Sequence, residues 1–340
     1  MSRVKTYITA NEGFFKRSLD YLSFMFSGFL AGLFVKKPDV VIGTSPQFFC
    51  ACAGWAVAFC KRKPFVFERR DIWPASIEAV GAAKSPRLIR TLEKIELFLY
   101  RRAALIVSVT HSFKTELVER GVPAEKIAVI LNGVDLLAYQ PQGKDEALAT
   151  QYDLQDKFVV GYVGTHGMAH ALDTLVEALA MLEDDGVVFL FAGGGARAEE
   201  LANDVQERKL SNVVVMGRQP KEKMSAVWSL CDVSIVHLKN TALFSKVIPS
   251  KIFESFAMGL PVVIGVPEGE VTSLVTKHQG GIVFEPENAQ QLCAVIKKLD
   301  NDRDLLGQLA KNCKIAAKEF DRKRLARRML EELQSLTASQ

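Results

Sequence analysis

The sequence predicts an α/β protein of two Rossmann-like, doubly wound domains, and three observations lead there. The 340 residues, 49% hydrophobic and 24% charged, suffice for two domains that each bury a core. Short β-branched runs recur, each followed by turn residues and a stretch of helical periodicity, which is the rhythm of βα units. That rhythm pauses once, near the middle, and starts again. The same composition excludes disorder, collagen and coiled coil, and 43 Lys+Arg against 39 Asp+Glu leave +4, too small a bias to demand a nucleic-acid partner.

In the first domain, residues 4–8, 39–42, 65–67, 105–109 and 126–130 read as buried strands of a parallel sheet, with Pro86–Arg102 as one helical crossover. Residues 21–35 are nearly all apolar but fall short of the roughly 20 residues that cross a bilayer. A buried or membrane-facing helix is expected there. Phe14, Phe15, Leu19, Leu22, Phe26 and Leu30, flanked by Lys16, Arg17, Lys36 and Lys37, would give it an apolar face with a basic rim. The N-terminus lacks the charged-then-apolar order of a signal peptide, and six cysteines without CxxC spacing read as reduced, buried thiols, so a cytoplasmic protein is expected.

Asn132-Gly133-Val134-Asp135 and the polar run 140–145 read as the interdomain linker. Strands resume at 158–163, 187–191, 213–216, 233–236, 261–264 and 281–284, and Leu172, Leu175, Leu179 and Leu182 form a helix stripe at spacings of 3, 4 and 3. The charged amphipathic tail 319–336 would pack back across the junction. The expected domains are 1–140 with 319–340, and 141–318.

Open α/β sheets bind ligands at the carboxyl ends of their strands. After strand 158–163 comes Gly164-Thr165-His166-Gly167, whose glycines and helix-start amides make either a phosphate loop or a plain tight turn. Gly193-Gly194-Gly195 is a weaker form of the same signal. Ser250 is placed to N-cap a helix with Lys251 and Glu254 in its first turn and Gly259 closing it. A carboxylate there can accept two ribose hydroxyls while lysines and amides face a diphosphate; alternatively Glu254 is a solvated surface residue. In the first domain Arg70 and Asp71 follow strand 65–67, and His111 follows 105–109. Asp71 either takes a proton from an acceptor hydroxyl or caps a turn, and His111 is likewise catalytic or structural.

Asn132-Gly133-Val134-Asp135, Gly217-Arg218-Gln219-Pro220, and Pro249-Ser250-Lys251 through Pro261-Val262-Val263 together resemble the retaining family 4 glycosyltransferases of the GT-B fold. Glu68-Arg69-Arg70-Asp71-Ile72-Trp73-Pro74 and Asn11-Glu12-Gly13-Phe14-Phe15-Lys16-Arg17 resemble the bacterial branch that builds O-antigen, capsule and colanic-acid polysaccharides, L-fucosamine-type transferases included. The resemblance implies two Rossmann-like domains facing a cleft and a UDP-sugar held mainly by the second, with N-acetylated amino and deoxy sugars among the candidates. It further implies a polyprenyl-diphosphate-linked saccharide acceptor on the first domain, peripheral attachment to the inner face of the membrane, and no obligatory metal or cofactor.

Glu254 matches the ribose-holding acid of the family's paired-glutamate motif, whereas Lys246 stands where its first acid would be. The Arg and Lys that many members carry after the first strand of the second domain are replaced around Thr165, His166 and Ala169. The diphosphate would then rely on Lys246, Lys251, Arg218 and the amides of residues 164–167. Relatives also carry a strand, a glycine turn, a helix and a strand ahead of the segment equivalent to 4–8, so the first domain is expected to lack its central strand pair. Two other readings compete: a GT-B nucleotide-sugar epimerase, which needs no acceptor, and an inactive homologue that only binds.

Overall fold

The computed structural model describes residues 3–7, 14–36, 38–45, 47–71, 86–183 and 185–338. It divides into two compact units, Met1–Leu131 with Ala326–Gln340, and Asn132–Leu325.

The first unit contains α1 (Phe14–Phe34), β1 (Val41–Thr44), α2 (Phe48–Lys61), β2 (Phe65–Arg69), α3 (Pro86–Arg102), β3 (Leu105–Ser108), α4 (His111–Glu119) and β4 (Ile127–Val129). Its strands form one parallel sheet in the order β1-β2-β3-β4. Every position of β3 is buried, as expected of a strand covered on both faces. Phe48, Phe65, Phe67, Tyr100, Ile106 and Leu117 belong to the core, where the Phe67 and Tyr100 rings meet edge-on at 4.7 Å.

Two expectations are corrected in this unit, the strand at residues 4–8 and the burial of all six cysteines. Residues 4–7 form no strand: the Tyr7 amide donates to Ser23 Oγ of α1 at 2.9 Å. A strand exists only where a neighbour takes up its amides and carbonyls, and this segment does not join the sheet. Helix α1 is half-buried along α2 rather than enclosed, with Phe26, Leu30 and Phe34 exposed. Lys61 Nζ donates to Leu33 O at 3.0 Å and to Val35 O at 2.9 Å, satisfying carbonyls at the end of α1. Among the described residues no helix is long and apolar enough to cross a membrane. All six cysteines are free thiols, but Cys50 and Cys52 are half-buried and Cys60 is exposed, because α2 turns part of its surface to solvent. Residues 8 and 11–13 and the side chains of Phe14, Phe15, Lys16, Arg17 and Lys37 lie outside the described structure.

The second unit contains α5 (Glu146–Gln151), β5 (Phe158–Thr165), α6 (Leu172–Met181), β6 (Val187–Gly194), α7 (Ala198–Glu207), β7 (Val213–Gly217), α8 (Met224–Ser229), β8 (Val233–His237), α9 (Lys251–Met258), β9 (Val262–Gly265), α10 (Glu270–His278), β10 (Gly281–Val283), α11 (Ala289–Asn301) and α12 (Arg303–Ala317). Its six strands are parallel in the order β10-β9-β8-β5-β6-β7. The chain winds outward from β5 in one direction and from β8 in the other, so the switch point lies between these two. Leu172, Leu175, Leu179 and Leu182 are all buried against Phe189, Ile235 and Leu292.

The segment Asn132-Gly133-Val134-Asp135 is not a free linker. The Val134 amide donates to Phe320 O at 2.9 Å, and the Arg322 amide donates to Val134 O at 2.9 Å. This strap ties it to the second unit, so the division falls after Leu131 rather than at residue 140. Helix α13 (Arg322–Ala338) starts in the second unit and ends in the first, where Arg328 Nη2 donates to Val129 O at 3.3 Å.

Candidate donor site

The carboxyl end of β5 and the first turn of α9 converge on one buried amine. Lys251 is 8% exposed, its Nζ lies 3.8 Å from the centroid of the Tyr162 ring, and it has no hydrogen-bond partner. A Cβ on Gly164 would meet Lys251 Cε at 3.3 Å and Nζ at 3.5 Å, and φ there is +127°, so only glycine suits a strand end this close to the amine. Burial pushes the amine down to about 7, with Glu254 pulling the other way.

His166 is 1% exposed, and neither ring nitrogen has a partner. Its ring lies 5.6 Å from that of Tyr162 and 6.2 Å from that of Phe191. Burial, and after it the Lys251 charge, push this imidazole down to about 4. Unpaired buried nitrogens are costly, and an anion bound among them would supply what both lack.

One turn along α9, Glu254 Oε2 accepts from Trp228 Nε1 at 3.2 Å. Burial holds this carboxyl above the usual range, opposed by the Trp228 bond and by the charges of Arg322, Lys251 and Lys221. Its two oxygens have lone pairs for further donors such as vicinal hydroxyls. The Tyr139 phenol is pushed up to about 12 by burial and then by Glu254. Arg218 follows β7 and lies over the end of β6, where a Cβ on Gly194 would come within 2.8 Å of its Cγ and Nε. Lys246 closes a 3-10 turn, Ala242–Lys246, that packs on the start of α10.

Two local expectations fail. Ser250 sits at the N-cap position in helical geometry (φ −61°, ψ −25°) without a side-chain cap, because the turn has already begun with Ile252 N donating to Pro249 O at 3.2 Å. The His166 amide is not offered to a ligand, since it donates to Gly194 O at 3.0 Å. The glycines serve the sheet: a Cβ on Gly193 would overlap Gly164 O, so they let two strand ends approach each other. Helix α6 starts only at Leu172, beyond Gly167 and a turn.

In the first unit Arg70 is exposed, and its amide donates to Ser45 Oγ at 2.8 Å. Asp71 is half-buried, and His111 is the exposed first residue of α4. All three follow adjacent strands at the same sheet edge. The neighbouring Arg69 turns inward instead. Its Nη2 donates to Glu116 Oε1 at 2.8 Å and its guanidinium covers the Phe113 ring at 4.6 Å, while Glu96 holds Arg120 at 2.8 Å and the Tyr100 hydroxyl at 2.7 Å. No spacing in the sequence announces this network, nor the roles of Tyr162, Trp228 and Tyr139. The motif residues Ile72, Trp73 and Pro74 lie outside the described structure.

The family model described as "Glycosyl transferases group 1" matches residues 145–320, and that for "Glycosyltransferase Family 4" matches residues 4–136. The chain is a group 1 glycosyltransferase. It is 26% identical over 306 residues to the putative colanic acid biosynthesis glycosyl transferase WcaI of Escherichia coli K12, covering 87% of this chain and 75% of that one. Its structure is similar to that of Anabaena HepE in complex with UDP, with a TM-score of 0.76 at 22% identity over 94% of this chain and 84% of that one. Sucrose-phosphate synthase from Thermosynechococcus elongatus gives a TM-score of 0.79 at 19% identity over 99% and 83%. These likenesses establish the GT-B architecture of two parallel-sheet, Rossmann-like domains.

Proposed function

We propose that this glycosyltransferase moves a sugar from UDP to a polyprenyl-diphosphate-linked saccharide during assembly of a bacterial surface polysaccharide, retaining the anomeric configuration. The observation that carries the reading is the pair of buried, unpartnered cationic and imidazole groups, Lys251 and His166, at the carboxyl end of β5. A diphosphate there gives both a partner, and Glu254 three residues beyond Lys251 is placed to accept the ribose hydroxyls. The UDP in the HepE complex and the colanic acid of the WcaI name support the donor and the product class.

In transfer, the bond from the sugar's anomeric carbon to the β-phosphate oxygen breaks as the acceptor oxygen bonds to that carbon from the same face. The acceptor proton passes to the departing phosphate oxygen. Charge grows on that diphosphate, and Lys251 stabilises it without a resident metal, together with Arg218 over the end of β6. Asp71, Arg70 and His111 form the acceptor side.

The exposed aromatics of the first unit support attachment to the inner face of the membrane. Phe34 is 89% and Phe59 71% exposed, beside Lys36, Lys61 and Arg62. The test is UDP release from UDP-sugars with and without lipid-linked acceptor. Acceptor-dependent release supports transfer, whereas conversion of the donor sugar without acceptor overturns it in favour of an epimerase.

A further inference from the structure

Two histidines of the second unit, the half-buried His170 and the buried His237, have no part in the chemistry above. His170, in the loop after β5, and His237, the last residue of β8, bond to each other's backbone. His170 Nδ1 meets His237 O at 3.2 Å, and His237 Nδ1 meets His170 O at 3.1 Å and Ala171 O at 3.2 Å. Carbonyl oxygens only accept, so both Nδ1 atoms carry the proton. The Glu287 amide, beyond β10, donates to His237 Nε2 at 3.0 Å, so that nitrogen is bare.

His237 is therefore held as the neutral Nδ1–H tautomer, fully buried and stacked on Phe284 at 5.8 Å. Burial pushes it below the ordinary histidine range, the Lys251 charge adding to this and Glu287 opposing it. One imidazole thus staples the loops that follow β5, β8 and β10. The stapled stretch includes Ala171, whose φ of +42° is a conformation a non-glycine residue keeps only when its surroundings hold it. A further bond, Lys239 N to Ala169 O at 2.9 Å, closes the same seam.

We propose that His237 is a positioning residue for the donor. Its Nδ1–H fixes the backbone of the loop after β5, and thereby holds Gly164 and His166 against Lys251 in the arrangement that grips a diphosphate. The inference rests on the donor reading above, and it separates the two ends of the imidazole: the Nδ1 donor secures the donor loop, and the Nε2 acceptor secures only the loop beyond β10.

The experiment is UDP calorimetry on the full chain and on His237→Asn, His237→Gln and His237→Leu, with unfolding midpoints measured alongside. The Asn amide can donate from the Nδ1 position, and Gln can accept at the Nε2 position. The expected result is that Asn stays within threefold of the parent affinity while Gln and Leu lose tenfold or more. A core variant chosen for an equal loss of stability, Ile296→Val, should keep UDP affinity. Parent-like UDP affinity in folded Gln and Leu variants, or an Asn variant as weak as Leu, overturns the proposal. For variants that fail to fold, the ring-nitrogen NMR of the parent decides: Nδ1–H on His237, with ring signals of His170 and His237 shifted by UDP, supports it, and a charged or Nε2–H ring overturns it. Absence of UDP binding by the parent would instead refute the donor reading itself, leaving the tautomer result intact.

Discussion

At the scale of single residues, Lys251 decides both affinity and stability. A charge-assisted bond to a bound anion is worth about 1.5–3 kcal/mol, so Lys251→Met should weaken UDP binding roughly 10- to 150-fold in calorimetry. The same change removes a buried unpaired cation, and the ligand-free protein should gain about 1–4 kcal/mol in denaturant unfolding. The pH dependence follows from the direction of the shift. The folded amine titrates near 7 and the unfolded one at 10.5, so between these values the unfolded chain binds more protons. Ligand-free stability from this group therefore rises with pH across that window. A diphosphate raises the amine's pKa, so at pH 8 UDP should bind with proton uptake, seen as different heats in buffers of different ionisation enthalpy, and affinity should fall above pH 7. Equal heats would contradict the assignment.

Lys251 and Glu254 are legible in the sequence because both lie in a continuous helix-start pattern. Burial of the amine under Tyr162 is not, since it depends on a strand some ninety residues away. For the same reason the sequence leaves open whether the glycines at 164 and 193 serve a ligand or the fold, since their close neighbours, the Lys251 side chain for Gly164 and the Gly164 backbone for Gly193, come from distant parts of the chain.

At the scale of elements, α1, α2 and α3 form the surface proposed to meet the membrane. Trp55 stacks on Phe59 at 5.8 Å and meets Phe98 edge-on at 4.9 Å, and Arg102 covers Phe98 at 5.5 Å. Replacing both Phe34 and Phe59 by Glu should reduce co-sedimentation with anionic vesicles at least tenfold at a small cost in the unfolding midpoint, because Phe34 is almost wholly in water and Phe59 is mostly exposed beyond its stack on Trp55. Binding in the parent should weaken with salt, as lysine and arginine near an anionic surface each contribute about 1 kcal/mol. Inside the second unit, Leu179 is fully buried in the α6 stripe, and Leu179→Ala should cost about 2–5 kcal/mol in denaturant unfolding. Such stripes are legible because a helix closes its own hydrogen bonds. Residues 4–7 have strand composition and form none, since a strand depends on partners the local sequence does not contain.

At the scale of the whole molecule, the two sheets are legible from the βα rhythm, and the pause in it starts near residue 132, next to where the contacts divide the chain. What the sequence hides is that the pause is a strap: Val134 bonds both Phe320 and Arg322, so residues far apart in the chain close the second unit. The central claim is that this unit holds a nucleotide by its diphosphate. The most direct measurement compares UDP with uridine in calorimetry on the full chain and on Lys251→Ala. The parent should bind UDP at least tenfold more tightly than uridine, and Lys251→Ala should abolish most of that difference. A Lys251→Ala protein that keeps the full preference for UDP would contradict the claim.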